Sequence, residues 1–327
     1  MKKICVFVIL FALIIVGCSK KNAPKQNLTA WMESEGTLRV LSTTAMIDDV
    51  VKQIGGESIR SLCLIVGDLD PHSYELIKGD DEKFQAADLI FYNGVGLEHG
   101  ASIRYHLEHS EKAISVGGSV YQRHPDRFVT VEGQLDPHIW MDMDLFAEIV
   151  DPIVEALVAK DPAHEAGYRE RGIQVKQRLK EKDFELQQAM KRVPEEKRYL
   201  VTSHDAFHYF TKRYLSPEGS DRWESRVQAP EGLAPDGQMS VFDIQKVTDF
   251  LCKNQVHVVF PESNVSRDSL RKIVEVCQKK GLKVEVAQTT LYGDTMAGAE
   301  TYIEMMEHNV NTLTSYLMGS YDKSVSR

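Results

Sequence analysis

The chain has 327 residues, of which 39 are Lys or Arg and 48 are Asp or Glu, giving a formal charge of −9 at neutral pH. A negative balance of this size repels a phosphate backbone and draws cations, which excludes a general nucleic-acid role. With 43% apolar residues and only 5 cysteines, the chain can build a core of its own and is not a disulfide-stapled scaffold.

Met1-Lys2-Lys3, an apolar run from Ile4 to Val16 and then Gly17-Cys18-Ser19 read as a secretory leader over residues 1–17, too short for a permanent membrane span. Its ending, Ile15-Val16-Gly17-Cys18, resembles the lipobox of bacterial lipoproteins, which implies that Cys18 is acylated and becomes the first mature residue. Loss of Lys2 and Lys3 with the leader makes the balance −11. The polar stretch from Ser19 to Thr29 reads as part of a tether over residues 18–36. No second long apolar run follows.

From Thr37 onward, short β-rich runs alternate with amphipathic helical ones, the pattern of an α/β fold with mainly parallel sheets. In the first half, strands are expected near Leu38 to Leu41, Ile59 to Val66 and Leu89 to Tyr92, with helices around Ala45 to Ile54 and Asp80 to Ala87. Asp161-Pro162 opens a charged segment that runs without proline to Arg192 and closes at Pro194, which predicts one long helix. In the second half, strands are expected near Tyr199 to Thr202, Val256 to Phe260 and Val284 to Ala287, with helices around Ser240 to Asn254, Ser266 to Lys280 and Ala299 to Leu317. The reading is of two lobes, residues 37–160 and 194–327, each a mainly parallel sheet flanked by helices, joined by one long rigid helix over 161–193. A continuous helix in place of a loop-like Gly or Ser hinge disfavours large domain closure.

Two copies of one tripeptide, Asp70-Pro71-His72 and Asp136-Pro137-His138, each present an imidazole from a backbone that proline stiffens. Two such turns far apart in sequence suggest two segments converging on one metal ion. Open α/β sheets place their sites beyond the carboxyl ends of the strands. His72 follows the second strand, His138 precedes a helix beginning near Asp142, His204 follows the strand at Tyr199 to Thr202, and Asp294 follows the strand at Val284 to Ala287. Three imidazoles and one carboxylate make a closed site for a first-row metal.

These segments resemble the metal-binding substrate-binding lipoproteins of ABC importers, the cluster A-I or cluster 9 family, which delivers manganese, zinc or iron. The resemblance covers essentially all of the mature chain. It is carried by Asp70-Pro71-His72-Ser73-Tyr74-Glu75, by Ala87 to Gly94 with Leu97-Glu98, by Leu135 to Asp142, by Thr202 to Phe207 and by His308-Asn309-Val310. It implies that His72, His138, His204 and Asp294 are the ligands, that the lobes are joined by one rigid helix, and that a permease and its ATPase receive the ion. A monomer held by a lipid anchor at the outer face of the cell membrane is implied as well.

Other residues keep two readings. Asp70, Asp136 and Asp205 either accept the free ring N–H of a ligand histidine or stabilise a turn. Glu262 is either a spare carboxylate near the ion or an acidic residue close to a helix start. His99, His106, His109 and His124 are sparse and read as surface histidines, unlike the His-rich loop of zinc-specialised relatives. His208 lacks the glutamate after His204 that a zinc-protease pattern needs. Cys252 and Cys277 either pair or remain buried thiols. For the cargo, three imidazoles favour zinc, the missing His-rich loop favours manganese, and iron stands behind both. The rivals are a zinc hydrolase, disfavoured because a fourth protein ligand takes the place of water, and an adhesin, for which no residue argues.

Overall fold

The computed structural model describes residues 28–33, 36–217, 219–220, 222–235 and 239–319. The leader, Cys18 and residues 19–27 lie outside the described residues. In chain order the elements begin with α1 (Leu28–Met32), β1 (Leu38–Ser42), α2 (Ala45–Gly55), β2 (Ile59–Cys63), α3 (Asp80–Ala86), β3 (Leu89–Tyr92), α4 (Ala101–Glu108), β4 (Ala113–Ser115) and α5 (Val116–Arg123). A hairpin of β5 (Thr130–Val131) and β6 (Gln134–Leu135) leads to α6 (Met143–Phe146), α7 (Val150–Lys160) and the long α8 (Glu165–Lys191). The remainder comprises β7 (Leu200–Val201), α9 (His208–Phe210), β8 (Val227–Gln228), α10 (Val241–Asn254), β9 (Val258–Val259), α11 (Asp268–Lys279), β10 (Glu285–Val286) and α12 (Tyr302–Leu317).

The first lobe is built on a parallel sheet in the order β2-β1-β3-β4. Its middle strands are fully buried at Val40, Leu41, Ile90 and Phe91, as continuous apolar runs in a sheet covered on both faces must be. Helix α2 buries Met46, Ile47, Val50, Val51 and Ile54, a spacing that puts all five on one face. The α1 segment, expected to be part of a tether, is folded onto this lobe instead. Trp31 is buried there, and its indole N–H donates to Arg60 O (2.8 Å).

The second lobe has much shorter strands than the apolar runs suggest, in two parallel pairs, β7 with β8 and β9 with β10. A hydrogen bond from Phe260 N to Val201 O (2.8 Å) joins the pairs. Val256, Phe260, Val284 and Ala287 lie outside the paired residues yet remain buried. Burial selects apolar residues over a longer stretch than backbone alignment keeps in register, and so the runs overstate the strands.

Helix α8 spans about 40 Å at 1.5 Å per residue. It is preceded by a tighter turn over Pro162–His164, while Asp161 accepts from His164 Nδ1 and Tyr168 Oη (2.7 Å each). A stripe of Tyr168, Gly172, Val175, Leu179, Leu186 and Met190 is buried along its length. Gly172 lets α7 approach closely, since a Cβ there would come within 2.6 Å of Val154 Cγ2. The helix is tied to both lobes. Arg171 donates to Ile54 O and Gly55 O (2.6 and 3.0 Å), and Lys182 pairs with Glu307 on α12 (2.8 Å). Buried Asp183 holds Arg213 and the Tyr214 hydroxyl. One hydrophobic cluster runs from Val40 through Tyr168 to Leu313, so the lobes share a core instead of meeting at a wet cleft. None of the described helices is long and apolar enough to cross a membrane.

Candidate metal centre

The four residues expected to act together do converge. His72, His138, His204 and Asp294 each place one ligand-type atom so that all lie within 4.8 Å of one another, and all four side chains are buried. His72 Nε2 is 3.1 Å from His138 Nε2 and 3.9 Å from Asp294 Oδ2. Asp294 Oδ1 is 3.4 Å from His138 Nε2, and its Oδ2 is 3.3 Å from His204 Nε2. A tetrahedron with bonds of about 2.1 Å has edges of about 3.4 Å, which these spacings approach. His204 Nε2 and Asp294 Oδ1 have no hydrogen-bond partner. Orphaned buried polar atoms cost about 1–3 kcal/mol each, and a cation at the common centre satisfies them together.

Each donor is set by its own local chemistry. At His72 the Asp-Pro turn closes as an Asx turn, with the His72 N–H donating to Asp70 Oδ1 (2.9 Å) and Ser73 Oγ to Asp70 Oδ2 (2.6 Å). His72 O then accepts from the backbone N–H groups of His99 and Gly100 (3.2 and 3.1 Å). At His138 the same turn does more, because Asp136 Oδ1 accepts both the His138 N–H (2.9 Å) and the ring Nδ1–H (2.7 Å). That fixes the tautomer with Nε2 facing the cluster. His138 follows the antiparallel β5–β6 hairpin, not a parallel strand, and Asn93 Nδ2 anchors its loop through Pro137 O (3.0 Å). Asp70 is therefore a turn former, Asp136 fills both roles, and Asp205 contacts His208 (3.5 Å).

His204 emerges from β7, and its Nδ1 lies 2.9 Å from Glu262 Oε2. Asp294 sits on a loop clamped by Asn309, whose amide donates to Tyr292 O and accepts from Tyr292 N (2.9 and 2.8 Å). Asn264 Nδ2 donates to Asp294 Oδ2 (3.1 Å). Across the lobes, Trp140 donates its indole N–H to Gly293 O (2.9 Å) and stands edge-on to the His138 ring at 5.2 Å. Tyr302 in turn donates its hydroxyl to Trp140 O.

The electrostatics divide the rings. Burial pulls the His138 imidazole down, but Asp136 and then Asp294 outweigh it and hold it at about 9. Burial opposes protonation of His204 too, and the charges of Asp294 and Glu262 overcome it, raising the ring well above its ordinary value. For His72 burial wins over Asp294, aided by repulsion from the other two rings, and the value falls. The Asp294 carboxyl is held well below its usual range, because His204, His138 and His72 together outweigh burial.

Glu262, His208, Trp140 and Asn264 contribute to the centre more than their local sequence signals. Glu262 is not at a helix start but on the loop after β9, bridged to Leu291, the same topological position that pointed to His72 and His204. His208 packs Nδ1 on Asp136 Oδ2 (3.0 Å) and lends the carboxylate a second partner. His106 pairs with Asp81 and His109 stacks on Tyr105, while His99 and His124 likewise stay outside the cluster. Cys252 and Cys277 are free cysteines, not a disulfide.

Residues 40–316 match the family model described as zinc-uptake complex component A, periplasmic (ZnuA). The chain belongs to this family. It is 38% identical to the metal-binding protein YtgA of Chlamydia trachomatis serovar D over 311 residues, 94% of each chain. It is 30% identical to the manganese-binding lipoprotein MntA of Bacillus subtilis, covering 94% of this chain and 97% of MntA. Among solved structures it is similar to Fe(III)-bound YtgA from Chlamydia trachomatis, with TM-score 0.81 and 39% identity over 85% of this chain and 97% of that one. The periplasmic zinc-binding protein TroA from Treponema pallidum has TM-score 0.76 at 28% identity, over 85% of this chain and 98% of TroA. These likenesses agree with the two-lobed α/β fold and with a solute-binding role.

Proposed function

We propose that this protein captures one transition-metal ion between its lobes, through His72, His138, His204 and Asp294, and passes it to an ABC permease with its ATPase. The convergence of four buried donors from both halves, two of their atoms orphaned, is the observation that carries the reading. Zinc, manganese and iron are the cargo candidates, and the names of its relatives cover all three. The ligand set of three nitrogens and one carboxylate ranks zinc above manganese in affinity. The organisation proposed is a leader over 1–17, a lipid-bearing Cys18 opening a tether that ends where α1 begins, lobes over 37–160 and 194–327, and the joining helix over 161–193. That places a monomer outside the cytoplasm, anchored to the membrane.

A hydrolytic metal centre keeps one coordination position for water, whereas Asp294 fills the fourth corner here. This supports a carrier over an enzyme. Metal analysis of the purified protein tests the reading: one ion per chain is expected, and loss of that ion in Asp294→Ala and His204→Ala. An Asp294→Ala variant that loads like its parent overturns the ligand assignment.

A further inference from the structure

We propose that Glu262 sets the ion preference of the centre by lending its charge to His204; the inference rests on the ligand set proposed above. Glu262 is 1% exposed. Its Oε1 is held by the backbone N–H groups of Ser203 and His204 (3.0 Å each), and this aims Oε2 at His204 Nδ1, 2.9 Å away. Oε2 and His204 Nδ1 face each other with no other hydrogen-bond partner, and among the described residues Glu262 has no Lys or Arg within ion-pair distance. His204 is therefore the one ring that this carboxylate faces among the described residues. Asp136 differs, because it divides its charge between His138 and His208.

Gly293 leaves room for this arrangement. A Cβ at that position would come within 2.2 Å of Glu262 Oε2, and the backbone there is one that any residue can adopt. Glycine at 293 thus answers a demand for space, on the same loop that presents Asp294.

An imidazole backed by a carboxylate is a more basic donor through its other nitrogen. Backed by a buried charge that no second ring shares, His204 acquires part of the character of an anionic oxygen ligand. Manganese and iron, which favour harder and more charged donors, gain more from that than zinc, which accepts neutral nitrogen readily. Glu262 is a positioning residue in this sense: it reaches the ion only through His204 and narrows the advantage that three imidazoles give zinc.

The test compares dissociation constants for Zn2+ and Mn2+ in the full chain, by competition with a chelator, for the parent and Glu262→Gln. Mn2+ affinity is expected to fall about tenfold more than Zn2+ affinity, within the 10–100-fold range for residues that back a ligand. The d–d absorption of bound Co2+ is expected to shift as well. Gly293→Ala, which displaces the carboxylate without removing it, is expected to move the Zn2+/Mn2+ ratio in the same direction and serves if the Gln variant does not fold. Equal weakening toward both ions in either variant, or no weakening, overturns the proposal. A parent protein that binds neither ion instead overturns the ligand set on which it rests.

Discussion

Stripping the protein with a chelator and refilling it with zinc at pH 7.5 is expected to release about two protons per ion. The number follows from the separation of the three rings. His138 is held at about 9 and His204 well above its ordinary value, whereas His72 lies below its own. At pH 7.5 the first two rings carry protons that must leave before their nitrogens can coordinate, and His72 contributes none. Each proton displaced tightens binding tenfold per pH unit, so two give about 10⁴-fold between pH 6 and 8, or about 5.5 kcal/mol. Three unperturbed imidazoles, titrating near 6.5, would together release only about 0.3 of a proton at pH 7.5. Calorimetric titration in two buffers of different ionisation heat measures the count directly. His204→Ala is expected to lower it to about one, and fewer than one proton in the parent would refute the reasoning.

The same shifts predict a stability profile for the stripped protein. Because His138 and His204 are raised in the folded state, their stabilisation is full below about 6.5 and is lost as pH rises, through about 9 for His138. Its melting temperature should fall over that window, while the zinc-loaded form holds steady. Asp136→Asn removes the charge behind His138 and should weaken zinc binding about 10–100-fold in a chelator competition. Asp183→Ala breaks the buried pair with Arg213 and should cost about 3 kcal/mol in urea unfolding without changing metal affinity. Trp140→Phe removes the bond to Gly293 O and should cost about 1–2 kcal/mol, while the parent's tryptophan emission should change on metal addition because Trp140 adjoins His138.

Much of the centre was legible because its signals are local. Asp-Pro-His is a statement about backbone angles, readable without knowing what the imidazole meets, and both copies fold as the turn that proline and aspartate favour. The parallel sheet of the first lobe was legible in the same way, from alternating apolar runs. Glu262 was not, since its partner His204 lies 58 residues away and nothing beside it in sequence marks it as different from a helix-start carboxylate. Trp140 reads as an ordinary core residue until the loop 153 positions later comes to rest on its indole N–H.

Residue order alone determined the alternation of strands and helices, the long charged rod between the halves and the two Asp-Pro-His turns, because periodicity and turn chemistry act between near neighbours. Tertiary structure decided how far the second lobe's strands pair, which aspartate backs a ring and which only makes a turn, and which histidines hold a proton. Those outcomes depend on burial and on charges brought within a few ångströms by distant segments, and such distances exist only once both lobes have closed around their common core.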